Sequence, residues 1–147
     1  MNHPVADIVR QLLVDLGIAS DGDDWPAYYA NMPDAPDNCM AVYDTEALDV
    51  KRGHPTGVTA MIYGIQVLVR AKDTRTAYLK TKEINRAFDE DVYRDEVTLD
   101  ESVYLVQAIS RMGAENPLGP EGATKRQLYS TNARVSVSLI EELGTSS

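Results

Sequence analysis

Two histidines and one cysteine are the residues of this 147-residue chain that could offer nitrogen or sulfur ligands to a transition metal. His3 lies near the start, His54 lies in a stretch with Gly and Pro, and Cys39 follows a Pro-rich segment. Zinc sites need several such ligands at short, regular spacing, and these three residues do not have it. We therefore expect no metal centre of this type, and a single cysteine excludes a disulfide within the chain.

A short acidic segment, Asp21-Gly22-Asp23-Asp24, has the carboxylate spacing with which a calcium-binding loop begins. The sixth position of such a loop is glycine and the twelfth is a bidentate glutamate. Here those positions are Pro26 and Met32. We therefore interpret residues 21–24 as a solvated acidic turn.

Two glycine-containing segments could in principle serve catalysis or phosphate binding. Ser20 lies between Gly17 and Gly22, but the spacing is one residue too long for a G-x-S-x-G nucleophile elbow. Residues 119–125 contain two glycines and a lysine without the Gly-Lys-Ser/Thr order that cradles phosphates. We predict no catalytic residues, no cofactor and no enzymatic activity.

Eight carboxylates lie between residues 83 and 101, and the whole chain has a net charge of −9. Such a balance opposes tight binding to a phosphate backbone, which depends on basic groups. A solvated face is the favoured interpretation. The alternatives are a docking surface for a basic neighbour, a wall that repels DNA, or a small hydrolase or metal enzyme, for which no set of nucleophile, base and orienting residue can be named.

Apolar residues at helical spacing predict two helices. The first has the stripe Val5, Ile8, Val9, Leu12, Leu13 and Leu16, with Pro4 in its first turn and Gly17 at its end. The second begins after Asp73, which can cap it. Its expected buried stripe is Ala77, Thr81, Ile84, Ala87 and Phe88, and its expected exposed residues are Arg75, Lys80, Lys82 and Arg86.

Continuous or alternating apolar runs predict the strands. They are a short strand within 25–30, strands at 39–44 and 58–70, a hairpin of 96–99 with 102–111, and a last strand from about 127 to 139. Segments 45–57 and 112–124 are expected to be mobile loops, and 143–147 a flexible tail. We predict one α+β domain over residues 1–147, with a mostly antiparallel sheet of about four long strands and two main helices packed on one face.

Two segments carry a likeness to a known family. Residues 32–37 read Met-Pro-Asp-Ala-Pro-Asp and lead into a strand that ends Tyr43-Asp44-Thr45, and residues 66–70 read Gln-Val-Leu-Val-Arg before Asp73. They resemble the Met-Pro-Asp-x-Pro-Asp segment, the Tyr-x-Thr strand and the Gln-Val-x-Val-Arg strand of the tail-terminator and tail-completion (minor capsid) proteins of long-tailed bacteriophages. Residues 129–139 are similar to the family's last strand. Glu46-Ala47 departs from its Gly-rich turn, and Gly64 stands where a proline is common.

The resemblance implies a structural virion protein that forms a hexameric ring on the tail tube, ends tube growth and offers a joint to the neck. Its implied partners are copies of itself, the tail tube protein and a head-completion (stopper) protein, with DNA passing through the lumen without specific binding. Synthesis in the host cytoplasm and a place at the tail-neck junction follow. A head-completion or adaptor protein of the neck is the alternative.

Eight positions are our candidate assembly contacts. Five belong to residues 32–38, which two prolines stiffen and which we call the proline-stiffened segment: Met32, Pro33, Asp34, Pro36 and Asp37. Three belong to the expected loop 45–57: Lys51, Arg52 and His54. No run of eighteen apolar residues occurs, so we expect no membrane span.

Overall fold

A computed structural model of the chain describes residues 2–45, 48–49 and 61–142. In chain order its elements are α1 (Val5–Asp15), β1 (Ala27–Tyr29), β2 (Cys39–Asp44), β3 (Leu48–Asp49), β4 (Met61–Ala71), α2 (Thr74–Glu90), β5 (Asp95–Leu99), β6 (Ser102–Arg111), β7 (Asn116–Glu121) and β8 (Arg126–Glu142). A short 3-10 turn, Gly122–Thr124, connects β7 to β8.

Helix α1 forms where its apolar stripe predicted it. The stripe residues from Val5 to Leu13 are buried, and Leu16 is half-buried against the same core. Gly17 adopts a φ of 78°, which the missing Cβ makes inexpensive, and the N–H groups of Ile18 and Ala19 then bond to the carbonyl of Leu13. The carbonyls of Leu12 and Val14 also accept hydrogen bonds, from Leu16 and Gly17, so the last turn of the helix is capped by the chain that follows it.

Helix α2 also follows the prediction, with one exception. Asp73 is its N-cap and accepts a 2.8 Å hydrogen bond from the N–H of Thr76, and the predicted stripe is buried. Lys80 was expected in water, but its side chain is only 12% exposed. Its ammonium donates to the carbonyl of Ile18 and lies 4.9 Å from the ring centre of Trp25. That expectation was wrong because the segment after α1 folds over this part of α2.

The sheet differs from the one predicted. It has eight strands in the order β1-β2-β4-β8-β6-β5, with β3 also paired to β4 and β7 also paired to β8. It is mixed, because β1 runs parallel to β2 while the other pairs are antiparallel. The prediction of a mostly antiparallel sheet of about four long strands was therefore wrong, although the α+β class holds.

Two of the unpredicted features have clear physical causes. The connection from Ala30 to Asn38 returns to the end of the sheet where β1 begins, so β2 enters alongside β1 in the same direction. Strand β7 occupies residues that were predicted as a loop. The loop was expected because Pro117 and Pro120 have no N–H group to donate to a neighbouring strand. Proline is nevertheless tolerated in a strand at a sheet edge.

The sheet curves around its helices. Helix α1 contacts β1, β2 and β4, and also β5 at the opposite end of the strand order, while α2 packs on β4, β6 and β8. Strands lie about 4.8 Å apart, so six flat strands would separate the two ends by roughly 24 Å, more than one helix of about 10 Å diameter can bridge. His3, just before α1, contacts this opposite end of the sheet. Its Nδ1 atom lies 2.6 Å from the hydroxyl of Tyr104 in β6, and its Nε2 atom lies 2.9 Å from the carboxylate of Asp100, between β5 and β6.

The two faces of the sheet have different chemistry. Inward residues of the central pair β4 and β8 are almost all apolar, and each lies opposite its partner in the antiparallel register: Ile65 with Ala133, Val67 with Thr131 and Val69 with Tyr129. The outward residues Gln66, Asn132, Arg134 and Ser136 are polar. One core therefore lies between the inner face and both helices.

Candidate assembly site

The segment 34–38 is held on the outer side of the sheet by Arg70, near the end of β4. Arg70 is only 1% exposed. Its guanidinium donates to the carbonyl of Pro36 at 2.7 Å, to the carbonyl of Asp37 at 3.3 Å, and to the Glu121 carboxylate at 3.3 Å. Alternation along β4 turns this residue away from the core, and its three partners allow a buried charge there.

A second arginine, Arg126 at the start of β8, also holds this segment. It donates to the carbonyl of Asp34, to Asp37 Oδ1 at 3.3 Å and, through Nε, to Glu121 Oε1 at 2.8 Å. Its guanidinium fork can reach several acceptors at once, which an ammonium group does less well. We call Arg70, Arg126, Glu121 and Asp37 the arginine cluster.

Glu121 joins the two arginines at the end of β7. Partial burial acts to raise the pKa of its carboxyl, but hydrogen bonds from Arg126 and Thr124, with the charge of Arg70, lower the pKa overall. Asn38 adds a further contact, because its Oδ1 accepts from the backbone N–H of Lys72 at 3.1 Å. The arrangement fixes the chain path over residues 34–38.

The arginine cluster borders an open groove on the surface. Asp34, Asp37, Lys72, Thr124 and Arg126 line it. Both arginines are engaged with carbonyls and carboxylates, so the cluster positions the backbone and has the chemistry of a structural support. A firmly held, partly exposed segment of this kind can present a defined surface to a partner.

Comparison with known families decides the class of protein. The family described as bacteriophage tail terminator protein matches residues 12–137. The chain belongs to this family. A comparison with curated proteins gave no match.

The match to the tail terminator family extends over most of the structure described above. The matched range includes the last turn of α1, the proline-stiffened segment, the complete arginine cluster and β8 as far as Val137. The resemblance inferred from residues 32–45 and 63–73 is therefore confirmed. The protein is a structural component of a phage tail, and so a virion protein.

The structure brings three of the predicted contact positions of this tail terminator together. Asp34, Pro36 and Asp37 meet at the arginine cluster through their carbonyls and one carboxylate. Met32 and Pro33 are half-buried just before them. Lys51, Arg52 and His54 lie outside the described residues, as do the tail 143–147 and most of the segment 45–57. Contact with a partner subunit stays a prediction for all eight.

Three residues of the cluster were missed by sequence reasoning. Arg70, Glu121 and Arg126 are far apart in the chain from residues 34–37. The available signal was the charge of Arg70 in a mostly apolar strand, because a charge needs a partner wherever it is buried.

The described residues contain neither a metal-binding cluster nor a membrane-spanning helix. Among residues 2–45, 48–49 and 61–142, no three His, Cys, Asp or Glu side chains are grouped so that they could hold a metal ion. In the same described ranges, neither helix is both long and apolar enough to cross a bilayer.

Proposed function

We propose that this tail terminator protein closes into a hexameric ring on the end of the tail tube, stops tube polymerisation and provides the joint to the neck. The observation that carries the proposal is the family match over residues 12–137. Tail tube protein and a head-completion protein are the partners on the two sides of the ring, which lies at the tail-neck junction.

A terminating ring must bind the last tube ring without adding further copies of itself. Strand edges of this protein are suited to that requirement, because an open edge invites uncontrolled pairing and is usually blunted. The β7 edge carries Pro117 and Pro120, and β5 carries Asp95 and Glu96. Both features disfavour strand addition, and this supports assembly through side-chain surfaces.

The acidic net charge of the chain supports a ring whose lumen does not bind DNA. The chain has a net charge of −9, and proteins that grip DNA do so mainly with Lys and Arg at the phosphates. A ring of this composition repels the duplex more than it attracts it. DNA can then pass through the ring without a specific site.

The experiment that tests this function uses particles assembled without the protein, examined by electron microscopy. Overlong tubes, or tubes that fail to join capsids, are expected, and supplying the wild-type chain should restore joined tails of uniform length. Tails of normal length attached to capsids would overturn the proposal. Tubes of normal length that remain unjoined would instead favour a head-completion role.

A further inference from the structure

Helix α2 has a basic outer face. Arg75, Leu79, Lys82 and Arg86 follow the i, i+4, i+7, i+11 spacing of one helical face, and all four are exposed. Leu79 is 51% exposed and its neighbour Tyr78 is 37% exposed. We call Arg75, Leu79, Lys82 and Arg86 the basic face.

The charge of this region contrasts with that of the whole protein. Residues 72–86 hold five basic and two acidic side chains, a net charge of +3 in a chain of −9. Arg75 and Lys82 form no salt bridge within the described part of the chain. Two positive charges are therefore left available on the face.

Apart from the cap at Asp73, the charges in the first and last turns of α2 oppose the helix dipole. A helix is stabilised by acidic residues in its first turn and basic residues in its last. Helix α2 has no acidic residue in the first turn and no basic residue in the last. Arg75 lies in the first turn, while Asp89 and Glu90 lie in the last. Asp89 and Glu90 are paired with Arg111 and Arg86 within the chain, whereas Arg75 forms no salt bridge in the described residues and is available to another partner.

An acidic surface follows directly. Residues 89–101 hold seven acidic side chains and one basic side chain. Asp91, Glu96, Asp100 and Glu101 are exposed. Tyr93 is 77% exposed, more than any other large hydrophobic residue in the described ranges. We call residues 91–101 the acidic hairpin.

We propose that the basic face of one subunit docks against the acidic hairpin of a second copy of this chain. This inference rests on the ring of the proposed function. A ring closes through heterologous contacts, in which two different surfaces of each subunit complement one another. The basic face and the acidic hairpin do not overlap, so each subunit offers one to each neighbour.

The two surfaces also match in composition. Complementary charge steers association and fixes its register, while aromatic and aliphatic side chains supply the buried centre of an interface. Leu79 with Tyr78 on one side and Tyr93 on the other provide that apolar part.

The test uses charge reversal on the full chain, with mass in solution and negative-stain images as readouts, both for the chain alone and with tail tubes. One variant carries R75E and K82E, and the other carries D91K, E96K and E101K, which leaves residues 91–101 with four basic and two acidic side chains. Opposed like charges at an interface weaken association strongly, by roughly a hundredfold or more in dissociation constant. Each variant alone should therefore lose the ring.

An equimolar mixture of the two variants should form rings again. The helix of the first variant is then acidic and meets the basic hairpin of the second, while the unchanged surfaces meet as before. Subunits must alternate, so rings with an even number close, as a hexamer does. The matched control is K125E, which reverses an exposed charge outside both surfaces and should leave the ring intact.

The outcomes separate this inference from the proposed function. Rings that persist in both variants, or a mixture that stays dissociated, would overturn the docking surfaces while the ring stands. A first variant that forms rings but no longer binds tubes would make the tube protein the partner of the basic face and would also overturn the inference. A wild-type chain without rings, alone and on tubes, would overturn both.

Discussion

The guanidinium of Arg70 donates a 2.7 Å hydrogen bond to the carbonyl of Pro36, a residue thirty-four positions earlier in the chain. The same group reaches the carbonyl of Asp37 and the carboxylate of Glu121. One buried side chain therefore connects the end of β4, the proline-stiffened segment and the end of β7. The conformation of residues 34–38 depends on contacts that are distant in sequence.

Substitution of Arg70 by methionine should destabilise the fold substantially. The variant keeps the aliphatic stem but leaves the Pro36 and Asp37 carbonyls without this donor and removes one positive charge beside Glu121. Loss of one partner from a buried hydrogen-bonded charge group costs about 3 kcal/mol in free energy of unfolding. Urea denaturation measures the loss. Arg134→Met, on an exposed arginine of the same sheet face, should cost less than about 0.5 kcal/mol, and an equal loss in both variants would contradict the cluster's role.

Acid should weaken the arginine cluster through Glu121. Its pKa in the fold lies below the ordinary value of 4.5, so the folded state favours the carboxylate. This stabilisation is fully present above about pH 4.5 and is lost as the pH falls through the lower, folded-state pKa. Glu121→Gln should therefore be less stable than wild type at neutral pH, with the difference shrinking below pH 4.5. Denaturation at a series of pH values measures it.

The control for the pH series is Glu101→Gln, which changes an exposed glutamate with no salt bridge in the described structure. Its difference from wild type should stay near zero and flat across the same range. A difference for Glu121→Gln that is independent of pH would show that loss of packing, and not loss of the carboxylate, causes the effect.

Sequence patterns predicted the elements whose formation depends mainly on residues close together in the chain. The stripe from Val5 to Leu13, the left-handed residue at Gly17 and the cap at Asp73 each depend on neighbours within a few positions. The strand at residues 39–44 was also found with its correct bounds. These elements required no knowledge of the rest of the chain.

Long-range pairing decided the parts that could not be predicted. The parallel alignment of β1 with β2 depends on where the 30–38 connection returns, and β7 exists because β8 offers it an edge. In the site, the likeness to a family pointed to Asp34, Pro36 and Asp37. Its Gln-Val-x-Val-Arg motif includes Arg70, but the likeness gave no role to Arg70 or Arg126, because those roles follow from the folded-back segment that covers them.

The position of Lys80 gives a test of the contact between α2 and the segment after α1. Lys80→Met keeps the stem but removes the 3.0 Å hydrogen bond to the Ile18 carbonyl and the cation above Trp25. A charged hydrogen bond and a cation–π contact together predict a loss of about 1–2 kcal/mol in free energy of unfolding. Chemical denaturation followed by Trp25 fluorescence measures it. Arg75→Met, on an exposed basic residue of the same helix with no salt bridge or cation–π contact in the described residues, should change stability little, and equal effects would contradict the contact.

A buried polar pair between α2 and the sheet should show strong coupling. The Thr131 hydroxyl donates to Asn85 Oδ1, while Asn85 Nδ2 has no partner among the described residues. Thr131→Val alone should lower the free energy of unfolding by about 1–2 kcal/mol, because Asn85 Oδ1 then has no donor for its hydrogen bond inside the core. The double variant Thr131→Val, Asn85→Leu should be more stable than the Thr131→Val variant, since an apolar pair leaves no polar group unsatisfied. A double-mutant cycle in urea measures the coupling, with the exposed Thr98→Val as control for the strand preference of valine, and costs that simply add would refute the pairing.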